Sequence, residues 1–274
     1  MSATATKIEA ANNTDVNAND LEQRVKDMYR DVAQNPDGDF HFEMGRTMAS
    51  RLGYPSYHLD NIPADAIKSF AGVGYYFHLA NLKSGEKVID LGSGAGMDSF
   101  FAAIEVGQDG EVVGVDMTDE QLDKSDSLRK EAGYQNIQYL KGYIQSAPCA
   151  DESFDAVISN GVINLAPNKN KVFNEAYRLL KHGGRLALSD IVTDVQLPSD
   201  ITCDATLWAA CIGGASQQDD YINAIKSAGF IVEKVEENPG YHFISDNAQW
   251  ATKTYGVKSI TVLARKTDGI YSTI

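Results

Sequence analysis

The chain has 274 residues, enough for one large α/β domain or one such domain with a cap. Hydrophobic residues make up 43% and charged residues 23%, the balance of an ordinary soluble globular protein, and no apolar run approaches the ~20 residues needed to span a bilayer. A formal net charge of −14 repels phosphate backbones, which argues against RNA or DNA partners, and the bland reading of that charge is solubility.

Residues 1–20, MSATATKIEAANNTDVNAND, are small, polar and Asn-rich with no apolar core, so they read as a mobile tail and not as a secretory signal. The three cysteines, Cys149, Cys203 and Cys211, form no C-x-x-C pair. Their odd number points to reduced thiols in a cytoplasmic protein without a structural zinc site. The five histidines, His41, His58, His78, His182 and His242, show no metal-ligand spacing. No metal is expected.

In chain order, Leu21, Val25, Met28 and Val32 have helical spacing over residues ~20–34. The aromatic- and Gly-rich stretch to about residue 80 reads as two or three short helices. Residues 21–80 are expected to form a helical cap or lid over the substrate pocket. From Glu86 strands and helices alternate. Strands are expected at 87–91, 111–116, 136–142, 153–160, 184–191, 231–237 and 259–266. Helices fall between them: one after the Gly turn, one from Asp119 to Ala132 with Thr118 as N-cap, and one over 170–181 ended by Gly183-Gly184. A non-periodic insertion covers roughly 192–217 on the substrate side, followed by the helix DDYINAIKSAG. The alternation predicts a doubly wound, seven-stranded, mostly parallel sheet over residues 81–274, with a reversed edge strand. Its site belongs at the carboxyl ends of the strands.

The turn Asp90-Leu-Gly92-Ser-Gly94-Ala-Gly96 follows an apolar strand and opens a helix. Glycine permits the sharp turn and close backbone approach, and the helix start offers free N–H groups. Dinucleotide sites want G-x-G-x-x-G, whereas here the third glycine is two residues after the second and position 97 is Met. The spacing G-x-G-x-G, with an acid two residues before it, is the pattern of S-adenosylmethionine methyltransferases. Asp116, at the tip of the second strand, can accept bonds from ribose hydroxyls or can cap the next helix.

DLGSGAGMDSFFAA, GVDMTDEQL, LKG, SFDAVISNGVINLAPNKNKVFNEAYRLLKHGG and LWAACIGGA, in this order, resemble the arsenite methyltransferase family of class I S-adenosylmethionine-dependent methyltransferases. The resemblance covers roughly residues 69–230. It implies a seven-stranded sheet, S-adenosyl-L-methionine as cofactor, and contacts from Asp90, Gly92, Ser93, Gly94, Asp98, Asp116, Met117, Gln121 and Asn160, with Met117 on the adenine face. The family's acid after LKG is replaced by Tyr143, Ile144 and Gln145, so Ile144 and Gln145 join the expected cofactor contacts. His182 stands where the family pattern has Pro.

The larger departure concerns the acceptor. The resemblance implies arsenic-binding cysteines in three segments. Here one position is Gly161, another falls in Gly72-Val73-Gly74-Tyr75-Tyr76, and only Cys211 is kept. Trivalent arsenic bonds three soft ligands, so one thiolate makes a poor clamp. The expected function is therefore methyl transfer to a small organic acceptor through an N, O, S or C nucleophile. The alternatives are a thiol or metalloid methyltransferase that uses Cys211, and a cofactor-binding protein without turnover. Tyr75, Tyr76 and His78 are the catalytic candidates, by orienting or deprotonating the acceptor. Gly161, Asn164, Trp208 and Cys211 are the substrate-side candidates, with Phe40, His41, Phe42 and His242 behind them. Each aromatic or His candidate also has a plain packing explanation. The oligomeric state is left open.

Overall fold

The computed structural model describes residues 18–198, 201 and 212–267. Helix α1 spans Ala18–Gln34, so the last three residues of the expected tail, Ala18 to Asp20, are helical, and the rest of it lies outside the described residues. Four short helices follow where two or three were expected: α2 (Arg46–Leu52), α3 (Ser56–Asn61), α4 (Ala64–Lys68) and α5 (Phe77–Ala80). Pro55 and Pro63 break this stretch by occupying the caps of α3 and α4.

Alternation then begins: β1 (Lys87–Leu91), α6 (Met97–Val106), β2 (Glu111–Asp116), α7 (Asp119–Glu131), β3 (Ile137–Lys141) and β4 (Phe154–Asn160). A 3-10 turn at Ile163–Leu165 leads to α8 (Lys169–Leu179), capped by Asn168, whose side chain accepts from the Lys171 N–H. After β5 (Leu180–Thr193) come the two-residue β6 (Ser216–Gln217), α9 (Gln218–Ser227), β7 (Phe230–Glu237), α10 (Asp246–Tyr255) and β8 (Lys258–Lys266).

The strand order is β3-β2-β1-β4-β5-β8-β7, with β6 paired to β5. The central strands are parallel and buried on both faces, which is why KVIDL and FDAVISN read as near-continuous apolar runs. The chain reverses winding between β1 and β4, and a crevice opens at the carboxyl ends of strands on either side of such a switch.

Three local expectations change. The reversed strand is β8, and it lies between β5 and β7 instead of at the edge, antiparallel to both. Helix α10 connects β7 to β8, where no strong helix was expected. The helix expected over 170–181 ends at Leu179 because Leu180 already pairs with Phe154, and Gly183 turns the chain at φ 73° inside β5. No helix among the described residues is long and apolar enough to cross a membrane.

Candidate cofactor cleft

Gly92 N–H and Ser93 N–H both donate to Val115 O (2.8 and 3.1 Å), which ties the glycine turn to the end of β2. Gly92, Gly94 and Gly96 all have positive φ (80°, 52° and 92°). A Cβ at Gly92 would lie 2.6 Å from the Val162 methyls, and one at Gly96 would collide with the Tyr139 hydroxyl. At Gly94 it would meet only Gln121 Oε1, at 3.8 Å. Two of these glycines serve packing; Gly94 faces open space.

Three carboxylates are buried around this turn: Asp90 (2% exposed), Asp98 (5%) and Asp116 (9%). Asp116 Oδ2 accepts from Gly94 N–H (3.0 Å) and Oδ1 from Thr118 N–H (2.9 Å), so one oxygen holds the turn while the other starts α7. Asp98 accepts from the hydroxyls of Tyr54 (2.7 Å) and Tyr76 (2.8 Å) and from Asn160 Nδ2 (2.9 Å). Asp90 accepts from Ser99 Oγ at 2.7 Å. Burial pushes the Asp90 carboxyl up to about 8, with repulsion from Asp98 adding and the Ser99 hydroxyl opposing. Burial also raises Asp98 against its three donors, and Asp116 against the N–H groups of Thr118 and Gly94. No cation is among the causes acting on any of the three.

Two adjoining recesses open here, of about 780 and 500 Å³. The first is lined by Asp116, Met117, Thr118, Tyr143, Ile144 and Gln145, with Val162, Leu165, Ala166 and Pro167 as one wall. The second is lined by Asp90, Ser93, Asp98, Gln121 and Asn160. Gly92, Gly94, Val162 and Tyr29 belong to both. Helix α1 roofs the cleft through Glu22, Val25 and Tyr29. All the residues expected to contact the cofactor thus come together.

The acceptor-side candidates do not. Tyr76 is fully buried and its hydroxyl donates to Asp98; burial together with Asp98 raises its pKa far above the ordinary phenol value. Tyr75 packs edge-on to Tyr54 and stacks on His78. His78 Nε2 lies 2.8 Å from Glu236 Oε2 on the exposed side of β7, away from both recesses. Only His78 of the three lies in α5; Tyr75 and Tyr76 precede it. Gly161 (φ 71°) donates its N–H to Ser189 O, and a Cβ there would lie 3.2 Å from Val73 Cγ1. Asn164 is buried and donates its N–H to Asp190. Phe42 stacks between Phe40 and Tyr29, whereas His242 lines a shallow groove with Glu43. Trp208, Cys203 and Cys211 lie outside the described residues, as does much of the expected 192–217 insertion. Among the described residues no group of His, Cys, Asp and Glu can hold a metal.

Tyr29, Tyr54, Tyr143 and Val162 also belong to the cleft or to the network beneath it. Tyr29 had a usable signal, one turn beyond Val25 on the α1 stripe, and Tyr143 had one in its place directly after LKG.

The cleft fits S-adenosylmethionine on three observations. Gly94 leaves a Cβ-sized gap facing the recess. Ser93 Oγ and Gln121 Oε1 are buried without a hydrogen-bond partner. Asp98 and Asp116 present buried carboxylates to the recesses, and the cofactor carries an ammonium and ribose hydroxyls that can donate to them.

Sheet, turn and cleft define a class I S-adenosylmethionine-dependent methyltransferase. The methyltransferase domain family matches residues 82–229, and the chain belongs to that family. It is 40% identical over 248 residues to the arsenite methyltransferase of Halobacterium salinarum, covering 88% of this chain and 62% of that one. To the human arsenite methyltransferase it is 37% identical over 183 residues, covering 63% and 48%. The chain therefore spans less than two thirds of the length of these curated relatives. The crystal structure of an arsenic(III) S-adenosylmethionine methyltransferase from Chlamydomonas reinhardtii aligns with TM-score 0.64 and 30% identity, over 83% of this chain and 76% of that one. Geranyl diphosphate C-methyltransferase from Streptomyces coelicolor, solved with S-adenosyl-L-homocysteine, shares the fold alone at 14% identity, with TM-score 0.64 over 90% of this chain and 98% of that one.

Proposed function

We propose that the methyl acceptor is a small soft nucleophile, a thiol or a trivalent metalloid species, reached with fewer protein thiols than a three-cysteine clamp. The sequence alone ranks an organic acceptor first; the arsenite methyltransferases among the relatives reverse that order. What supports this reading is the similarity to arsenite methyltransferases; the Gly161–Val73 contact, where apolar packing stands at two of the positions to which the resemblance assigns cysteines, limits the number of protein thiols. Cys149, the one cysteine among the described residues, lines neither recess. The cysteine that the resemblance keeps on the acceptor side is Cys211. A trivalent arsenical whose other bonds go to a methyl group or to small-molecule thiols needs one protein thiol.

When bound, the cofactor supplies an electrophilic sulfonium methyl group. The protein's part is to orient and to exclude water. Asp116 would accept from the ribose hydroxyls, Asp98 and Asn160 would meet the amino-acid end, and Met117 with Ile144 would flank the base. A thiolate acceptor needs no catalytic base, consistent with Tyr76 and His78 being engaged elsewhere.

The second reading is a small organic acceptor. It is favoured by the same Gly161–Val73 contact and by the apolar wall Val162–Pro167. One experiment separates the two: incubate the chain with methyl-labelled cofactor and, in parallel, trivalent inorganic and monomethyl arsenicals with glutathione, simple thiols, or fractionated small-molecule extract. Label in the arsenical or thiol arm, abolished by Cys211→Ser, is the expected result. Label only in extract, indifferent to Cys211→Ser, assigns the organic acceptor instead.

A further inference from the structure

Asp190 is a buried carboxylate, 1% exposed, near the carboxyl end of β5, and it lines neither recess. Its Oδ2 accepts the backbone N–H of Asn164 at 2.9 Å and the Tyr221 hydroxyl of α9 at 2.7 Å. Its Oδ1 lies 2.8 Å from the Ile191 N–H. Asn164 sits in the 3-10 turn after β4, and the residues around it, Val162, Leu165, Ala166 and Pro167, are the wall of the first recess. Val162 also lines the second recess and stands against the Gly92 turn. One carboxylate therefore fixes, through a single backbone N–H, the strip that faces the glycine turn.

Burial raises the Asp190 carboxyl to about 6, opposed by the Tyr221 hydroxyl, the Ile191 N–H, Lys169 and the Asn164 N–H. Lys169, facing it from α8, is itself lowered to about 8 by burial. A buried carboxylate held this way is a weak contributor to stability and a candidate for a role in function.

We propose that Asp190 is a positioning residue for methyl transfer, setting the Val162–Pro167 wall against the glycine turn and so shaping the cofactor cleft. The proposal rests on the methyltransferase reading and is independent of the acceptor; cofactor binding by the unsubstituted chain tests that reading separately. The test uses the full chain with Asp190→Asn and with Tyr221→Phe. The measurements are calorimetric Kd for S-adenosylhomocysteine, melting temperature, and amide exchange across 162–167. For D190N the expected result is a melting temperature at pH 8 equal to or above the parent's, faster exchange confined to 162–167, and a Kd raised roughly tenfold. Y221F should raise Kd by a smaller factor. An unchanged Kd in folded D190N overturns the proposal. So does a Kd loss that tracks a global fall in melting temperature with exchange accelerated throughout. If D190N fails to fold, Y221F decides, and an unchanged Kd there overturns it.

Discussion

Gly92 and Gly94 differ by what surrounds them, and their alanine variants should separate folding from binding. Alanine at Gly94 meets nothing closer than 3.8 Å, so stability should fall only by the left-handed strain, about 1 kcal/mol, while affinity for S-adenosylhomocysteine drops sharply because the methyl enters the recess. Alanine at Gly92 runs into Val162 at 2.6 Å and should cost roughly 1–3 kcal/mol of stability before any ligand is added. Melting curves and calorimetry on the pair check both expectations. For Asp190 the sign is worked from its carboxyl, raised from 3.8 to about 6: the folded state disfavours the charge, so its contribution to stability is complete below pH 3.8 and is lost as pH rises through about 6. A shift of about two units is worth roughly 3 kcal/mol, part of which D190N recovers at pH 8. At this scale, residue types dictated by backbone geometry or by a strand tip were readable: Asp90, Gly94 and Asp116 all reach the cleft. The Asp98 network was not, because Tyr54 meets Asp98 across 44 positions and no local pattern encodes that meeting. Nor did the run Tyr75-Tyr76-Phe77-His78 say which ring would turn inward.

Helix α1 is anchored unevenly. Its carboxyl half is held by buried Val32 and Ala33, by Ser69 Oγ donating to Val32 O, by Lys124 Nζ donating to Ala33 O, and by Gln121 Nε2 donating to Tyr29 O. Its amino half has Val25 and the clasp in which Lys26 donates to the Tyr143 hydroxyl, which donates to Glu22. Such a part-exposed clasp is worth at most about 1 kcal/mol, so Tyr143→Phe should speed release of S-adenosylhomocysteine up to about fivefold in stopped flow without lowering the melting temperature. Unchanged release would mean that the amino half does not gate the cleft. The apolar stripe of α1 was legible from its spacing, while its seat over the cleft was not. The position of β8 was legible but misread. Strand β8 has no exposed residue and demands neighbours on both sides, whereas β7, exposed along most of its length, suits an edge.

For the whole molecule, the strand–helix alternation gave the architecture, since a parallel sheet with helical crossovers leaves few topologies. The switch between β1 and β4 then places the cleft beside the buried Asp90, Asp98 and Asp116. The acceptor side was less legible: the resemblance assigns cysteines to the positions of Gly161 and Val73, where this chain has none, and Cys203, Trp208 and Cys211 lie outside the described residues. The most direct measurement is calorimetric titration of the full chain with S-adenosylhomocysteine and, in parallel, with NAD. The expected result is a Kd of about micromolar order for the first, at least tenfold weaker in Asp116→Ala, and no measurable heat for NAD. Absence of S-adenosylhomocysteine binding, or equal binding of NAD, would contradict the assignment of this cleft to the methyl donor.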